Sequence, residues 1–349
     1  MKNNASFLTK NRGILIFFAV MLIAPFLIGL FEGSTLLMIW NNQGSLSKFL
    51  EGLGIEIFIL ALFALSFDLL FGITGLLSFG HAMFFAVAAY LTGIALKTLA
   101  MPFWGVVLLV LLAAIVQALL FSLVLPRVKG ITFTLVSLGL ASVFHIIVMS
   151  SDMINLTGAD VGLQGVPVPA FISPVTERLR FYVIALTLLV AAYLFYRRFV
   201  ASPTGRVCVA IRENEDRAKM LGYNTTIFKV VVMIISSLTA ATAGMLHALY
   251  QPSISPSIAD LGFTVTALLI VLIGGVGTLS GAIVGAFAFR LLDFTLRRFM
   301  GESASFITGA IYVIFVLFVP YGIVGTIRMR QLRTKPGWQR LLGMVKPKN

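Results

Sequence analysis

The feature that most constrains this chain is a series of apolar runs, each close to the length of a bilayer-spanning helix. The first, Gly13–Phe31 (GILIFFAVMLIAPFLIGLF), contains no charged side chain. Hydrocarbon offers the backbone no partner, so a spanning segment must satisfy its own amides, and a helix of about 20 residues does so. Further runs lie at about 54–71, 79–97, 102–125, 131–150, 181–199, 227–250, 261–276, 279–297 and 304–323. They predict an all-α integral membrane protein with about ten transmembrane helices. The 261–276 run is short and 279–297 follows at once, so a broken or re-entrant helix is the alternative to two full spans there.

Composition closes other routes. The 349 residues are 59% hydrophobic and 11% charged, far from the roughly 25% charge of a soluble domain. The runs are continuous, without the period-2 alternation of barrel strands. A net charge of +13 would suggest nucleic acid in a soluble protein. In a membrane protein, basic residues instead gather on the cytoplasmic side and meet anionic lipid. With the N-terminus inside, most of the 26 Lys and Arg residues fall on that side. Both termini are therefore expected to be cytoplasmic, with Arg297 and Arg298 the exception, reaching an interface by snorkelling. No small-x-small cleavage site follows the first run, so it is expected to remain as a span. Residues 1–330 read as a single transmembrane domain, and 331–349 as a basic cytoplasmic tail.

The chain carries little that could do covalent chemistry. Cys208 is its one cysteine, and no Cys/His cluster has metal-ligand spacing. The glycine-rich IGGVGTLSGAIVG lacks the lysine of a phosphate-binding loop. His81, His145 and His247 fall in separate runs, and His145 and His247 are assigned no role. No catalytic centre, metal or cofactor is expected, and any ATP must be hydrolysed elsewhere.

Two patterns do point to function. Gly72-Ile-Thr-Gly75-Leu-Leu-Ser78 and Gly274-Gly-Val-Gly277-Thr-Leu-Ser280 both read G-x-x-G-x-L-S between apolar runs. Corresponding glycine interruptions point to a transport pathway, although glycine and serine also recur wherever membrane helices pack closely. Asp68 and His81 flank the first copy, and ionisable residues within spans are costly enough to be candidate sites. Asp68, Gly72, Thr74, Gly75, Ser78, His81, Gly274, Gly277 and Ser280 are thus the candidate pathway residues. Arg290, Asp293 and Arg297, spaced i, i+3 and i, i+4, are expected to neutralise one another.

The second pattern is the inner loop, 198–226. Its charges (Arg206, Arg212, Glu213, Glu215, Asp216, Arg217, Lys219) alternate with apolar Val207, Val209, Ile211, Met220 and Leu221. A short helix capped by Ser202 or Thr204 and stopped at Gly222 fits this, lying on the inner face and docking into a partner's groove. The loops 33–53 and 151–180 are expected outside, the latter irregular from its Gly, Pro and Asn.

Three stretches together resemble the branched-chain amino acid ABC transporter permeases of the LivM type. They are ALSFDLLFGITGLLSFGHAMFFAVAAYLT, the inner loop with its R-E-N-E core at Arg212–Glu215 and L-G at Leu221-Gly222, and VLIGGVGTLSGAIVGA. The resemblance implies one of two permease subunits of a bacterial ATP-driven importer in the cytoplasmic membrane. A second homologous permease, two cytoplasmic ATPases using ATP and Mg, and an extracytoplasmic solute-binding protein would complete it, with no nucleic acid partner. The element from Gly205 and Arg206 through Arg212, Glu213, Asn214 and Glu215 to Leu221 and Gly222 would couple the chain to the ATPases. The cargo implied is a branched-chain amino acid or a related solute: another amino acid, urea, a short amide or an aromatic acid. Asp68 stands where the family usually has Asn, and Leu76 where it has Gln, departures expected to signal a different cargo. The alternative is a self-contained ion-coupled secondary transporter, for which Asp68 would be the ion-binding carboxylate.

Overall fold

The computed structural model describes residues 12–31, 33, 45–125, 128 and 130–333. Its long helices are α1 (Arg12–Phe31), α2 (Ser45–Asp68), α3 (His81–Lys97), α4 (Phe103–Ser122), α5 (Ile131–Met149) and α6 (Arg178–Ala201). After them come two short helices, α7 (Pro203–Glu213) and α8 (Glu215–Met220). The chain ends with α9 (Thr225–Tyr250), α10 (Leu261–Gly274), α11 (Leu279–Met300), α12 (Ala304–Phe318) and α13 (Gly322–Arg333).

Among the described residues, eight helical stretches are long and apolar enough to cross a membrane, and α3 and α10 are shorter apolar helices. The ten expected runs thus fall on eight helical stretches of spanning length and two shorter helices. The 304–323 run is not one helix: the ladder breaks at residues 319–321, between α12 and α13. The 33–53 loop is also shorter than expected, because α2 starts at Ser45; residues 34–44 lie outside the described residues. Of the basic tail only 331–333, the end of α13, is described.

The centre of the bundle is α2, fully buried at Phe58, Phe63, Leu65 and Phe67, with α1, α6, α9, α10 and α11 around it. Small residues set the close approaches. A side chain at Gly244 of α9 would collide with the Phe85 carbonyl of α3, and one at Gly285 of α11 with the Ile270 carbonyl of α10. Such contacts replace the hydrophobic driving force that lipid does not supply.

Between α2 and α3 the chain leaves the α-helical ladder. Leu69–Ile73 forms a π-helical turn and residues 74–80 are irregular. Irregular backbone within a membrane bundle needs partners, and neighbouring helices supply them. Thr134 donates to the Leu77 carbonyl (2.8 Å), Ser137 Oγ accepts from Phe79 N (3.1 Å), and Thr264 Oγ1 accepts from Ala82 N (3.0 Å). At the opposite end, a two-residue antiparallel bridge pairs Leu163–Gln164 with Ser253–Ile254, tying the irregular 151–177 segment to the connection between α9 and α10.

Candidate functional site

The inner-loop element is two helices rather than the single one expected. Ser202 caps α7, its Oγ accepting from Gly205 N (3.2 Å), and Pro203 stands in the first turn. Asn214 interrupts the run because its Oδ1 accepts from Arg217 N (2.9 Å), starting α8 as a new N-cap. Gly222 follows at φ +88° and turns the chain toward α9.

Glu215 is the anchor of this element. It pairs with Lys229 of α9 (2.7 Å) and Lys219 (3.2 Å) and accepts from Thr225 (3.0 Å). Burial works against its charge, but the hydrogen bonds and charge of Lys229, with those of Lys219 and Thr225, outweigh it. They hold the carboxyl down at about 2. Arg206, Glu213 and Asn214 are exposed, as are Met220 (86%), Leu221 (73%) and Ile227 (58%).

The other end of α7 meets both glycine motifs. Arg212 Nη1 donates to the Gly72 carbonyl in the π-helical turn. Gly75, at φ +78°, lies so close that a Cβ there would be 3.1 Å from Arg212 Cγ and 3.2 Å from its Cα. From the second motif, Gly277 at φ +71° donates its N–H to Asp68 Oδ1 (2.7 Å). A Cβ on Gly277 would lie 2.8 Å from Arg212 Nη1 and 2.8 Å from the Gly72 oxygen. Positive φ and close approach together exclude side chains here. The two G-x-x-G-x-L-S copies therefore form one joint, with Arg212 of α7 seated in it.

The remaining candidates divide around this joint. Thr74 donates to the Leu69 carbonyl (3.2 Å) and lies against the Cys208 thiol, which burial pushes up to about 11. Asp68 Oδ2 and Ser78 Oγ are buried without a hydrogen-bond partner among the described residues. His81 is set apart: its Nε2 meets Ser66 Oγ at 2.8 Å, and Phe63, Phe67 and Phe84 enclose its ring. Gly274 backs directly on the Gly281 carbonyl. Gly277 and Ser280 line a cavity of about 530 Å³ between α1, α6, α11 and α13, together with Tyr193, Arg197 and Arg328.

One partner, Glu56, was not found from the sequence. Arg290 does bond Asp293 (2.8 Å), and Arg297 bonds Asp293 as well (2.8 Å), as the spacing implied. Arg290 also donates through Nε to Glu56 Oε2 (2.6 Å) and through Nη2 to the same oxygen. Glu56 lies 234 residues away, beyond the reach of any helical spacing rule, and only an unpaired acid within the second run could have hinted at it.

The chain belongs to the family described as branched-chain amino acid transport system / permease component, whose model matches residues 49–319. It is similar to the high-affinity branched-chain amino acid transport system permease protein LivM of Salmonella typhimurium. The two are 25% identical over 297 residues, covering 78% of this chain and 69% of that one. The LivH protein of the same organism is 23% identical over 76% of this chain and 91% of its own. The BraD protein of Pseudomonas aeruginosa is 24% identical over the same shares. No solved structure matches the chain at the same stringency.

Proposed function

We propose that this chain is a non-catalytic permease subunit of an ATP-driven importer in the bacterial cytoplasmic membrane. It forms half of a translocation pathway with a second homologous permease. The cargo is a branched-chain amino acid or a related small polar solute, handed over by an extracytoplasmic binding protein. ATP and Mg act in two cytoplasmic ATPase subunits, for which α7 and α8 are the contact.

One observation carries this reading: Arg212, on the coupling element, hydrogen-bonds the Gly72 carbonyl at the inner turn of α2. A push on α7 is thereby delivered to α2 and, through Asp68 and Gly277, to α11. Glycine turns can transmit such a push because they change φ and ψ with little steric cost. Asp68, Gly72, Thr74, Gly75, Ser78 and Gly277 act in this reading as the joint of the coupling element, and Ser280 borders the inner cavity beside it.

The test is affinity purification of the tagged chain from its native membrane in mild detergent, with identification of co-purifying proteins and an ATPase assay. A second permease and ATPase subunits are the expected result. A lone chain that transports in liposomes under an ion gradient would refute it in favour of a secondary transporter.

A further inference from the structure

The cavity of about 530 Å³ between α1, α6, α11 and α13 lies at the end of the bundle that carries α7 and α8. Its two charged lining residues are both arginines, Arg197 of α6 and Arg328 of α13, and no described residue lining it is acidic. Beside them the wall is apolar, with Phe17 of α1, Val200 of α6 and Ile283 of α11. We propose that this cavity binds the phosphate of an anionic membrane phospholipid, its apolar wall taking the first part of the acyl chains. The site is independent of the solute that the chain carries.

Depth in the bilayer argues for a headgroup. At 1.5 Å per residue, Arg197 stands about 28 Å along α6 from Arg178, close to the roughly 30 Å of a hydrocarbon core. Arg178 itself bonds the Lys48 carbonyl in the first turn of α2 (3.2 Å), at the opposite end of the bundle. The two arginines of α6 thus stand at the two headgroup levels, with Arg197 at that of the cavity. A guanidinium offers forked donors that match two phosphate oxygens, and basic pockets between membrane helices hold anionic headgroups on this principle. Arg197 is half-buried in the wall and Arg328 is exposed at the rim, so a phosphate entering from the leaflet meets one cation and then the other.

The surroundings favour a lipid over a soluble anion. α1 presents Ile16 (62% exposed) and Val20 (53%) outward, an apolar flank that belongs against hydrocarbon. A small hydrated anion gains nothing from Phe17, Val200 and Ile283, whereas an acyl chain buries them. A zwitterionic headgroup would bring its own cation toward the two arginines, a repulsion that an anionic lipid avoids. The start of α11 agrees in sign: Thr278 and Ser280 line the cavity, and the Thr278 hydroxyl donates back to the Gly275 carbonyl (2.5 Å) instead of capping the helix.

The experiment uses the full chain, purified in mild detergent, delipidated and titrated with phosphatidylglycerol or phosphatidylethanolamine, bound lipid being counted by native mass spectrometry. Phosphatidylglycerol is expected to bind the native chain at least tenfold tighter than phosphatidylethanolamine. Its affinity should fall about fivefold in R197Q or R328Q and about thirtyfold in the double variant, while R198Q, at an exposed position that does not line the cavity, should stay within twofold. Equal binding of the two lipids by the native chain would overturn the proposal without reference to any variant. Unchanged phosphatidylglycerol binding in the double variant, or a loss in R198Q as large as in R328Q, would overturn the site in favour of general surface charge. Millimolar inorganic phosphate is added as a competitor: failure to displace the lipid supports a lipid ligand, and full displacement would assign the cavity to a soluble anion instead.

Discussion

Replacing Glu215 by Gln removes the charge that holds α8 to the first turn of α9. Its carboxyl sits at about 2 rather than the ordinary 4.5, a gross gain of about 3.5 kcal/mol at about 1.4 kcal/mol per pH unit. Water still reaches the side chain, which is 20% exposed, and screening reduces the net effect to about 1–2 kcal/mol. The loss falls chiefly on Lys229, only 5% exposed, which keeps its charge but loses its counter-charge. E215Q should therefore open the α7–α8 element about tenfold more often at neutral pH, read as about tenfold faster tryptic cleavage at Arg217 and Lys219. Adding Lys229→Met removes the stranded cation and should recover most of that rate. The sign with pH follows from a depressed folded-state value. The contribution is complete above about pH 4.5 and is lost as pH falls toward 2, so amide exchange in α8 of the native chain and E215Q should converge in acid. Equal cleavage of both proteins at neutral pH, or no recovery in the double variant, would refute the argument.

Other expectations concern the joint. Gly75→Leu puts a side chain at φ +78° against Arg212 and should reduce uptake at least tenfold, whereas Gly309→Leu, in open space on α12, should leave it within twofold. Arg212→Gln should retain the ATPases on purification yet lower uptake about tenfold, because the contact surface stays and the bond to Gly72 goes; loss of ATPase binding instead would make Arg212 a docking residue. Cys208, buried with its thiol pushed up to about 11, should label with maleimide at pH 7.5 at under about a tenth of the rate of the denatured chain. Rapid labelling of the native protein would show that α7 does not stay seated against Thr74.

Local chemistry made much of this molecule legible before any coordinates. Apolar runs of spanning length identify α1 and α4–α6 because hydropathy is a property of contiguous residues. Ser202 and Gly222 mark the ends of the loop element through capping rules that span three or four residues. The same locality explains the departures. Asn214 splits the loop element because its side chain competes as a cap. The break between α12 and α13 falls at Val319–Pro320–Tyr321, where proline offers no amide to continue the ladder.

The sequence alone determined that the chain lives in a bilayer, that it contains two similar glycine motifs, and that one loop interleaves charged with apolar side chains. Only the tertiary structure decided that the two motifs close on each other and on Arg212, and that Glu56 completes the Arg290–Asp293–Arg297 group. Those contacts join residues from 140 to 234 positions apart. Hydropathy and helical spacing act over one or two turns, so they place each helix. Which faces then meet depends on how closely small residues let whole helices approach, a sum over the packed bundle that no short stretch of sequence contains.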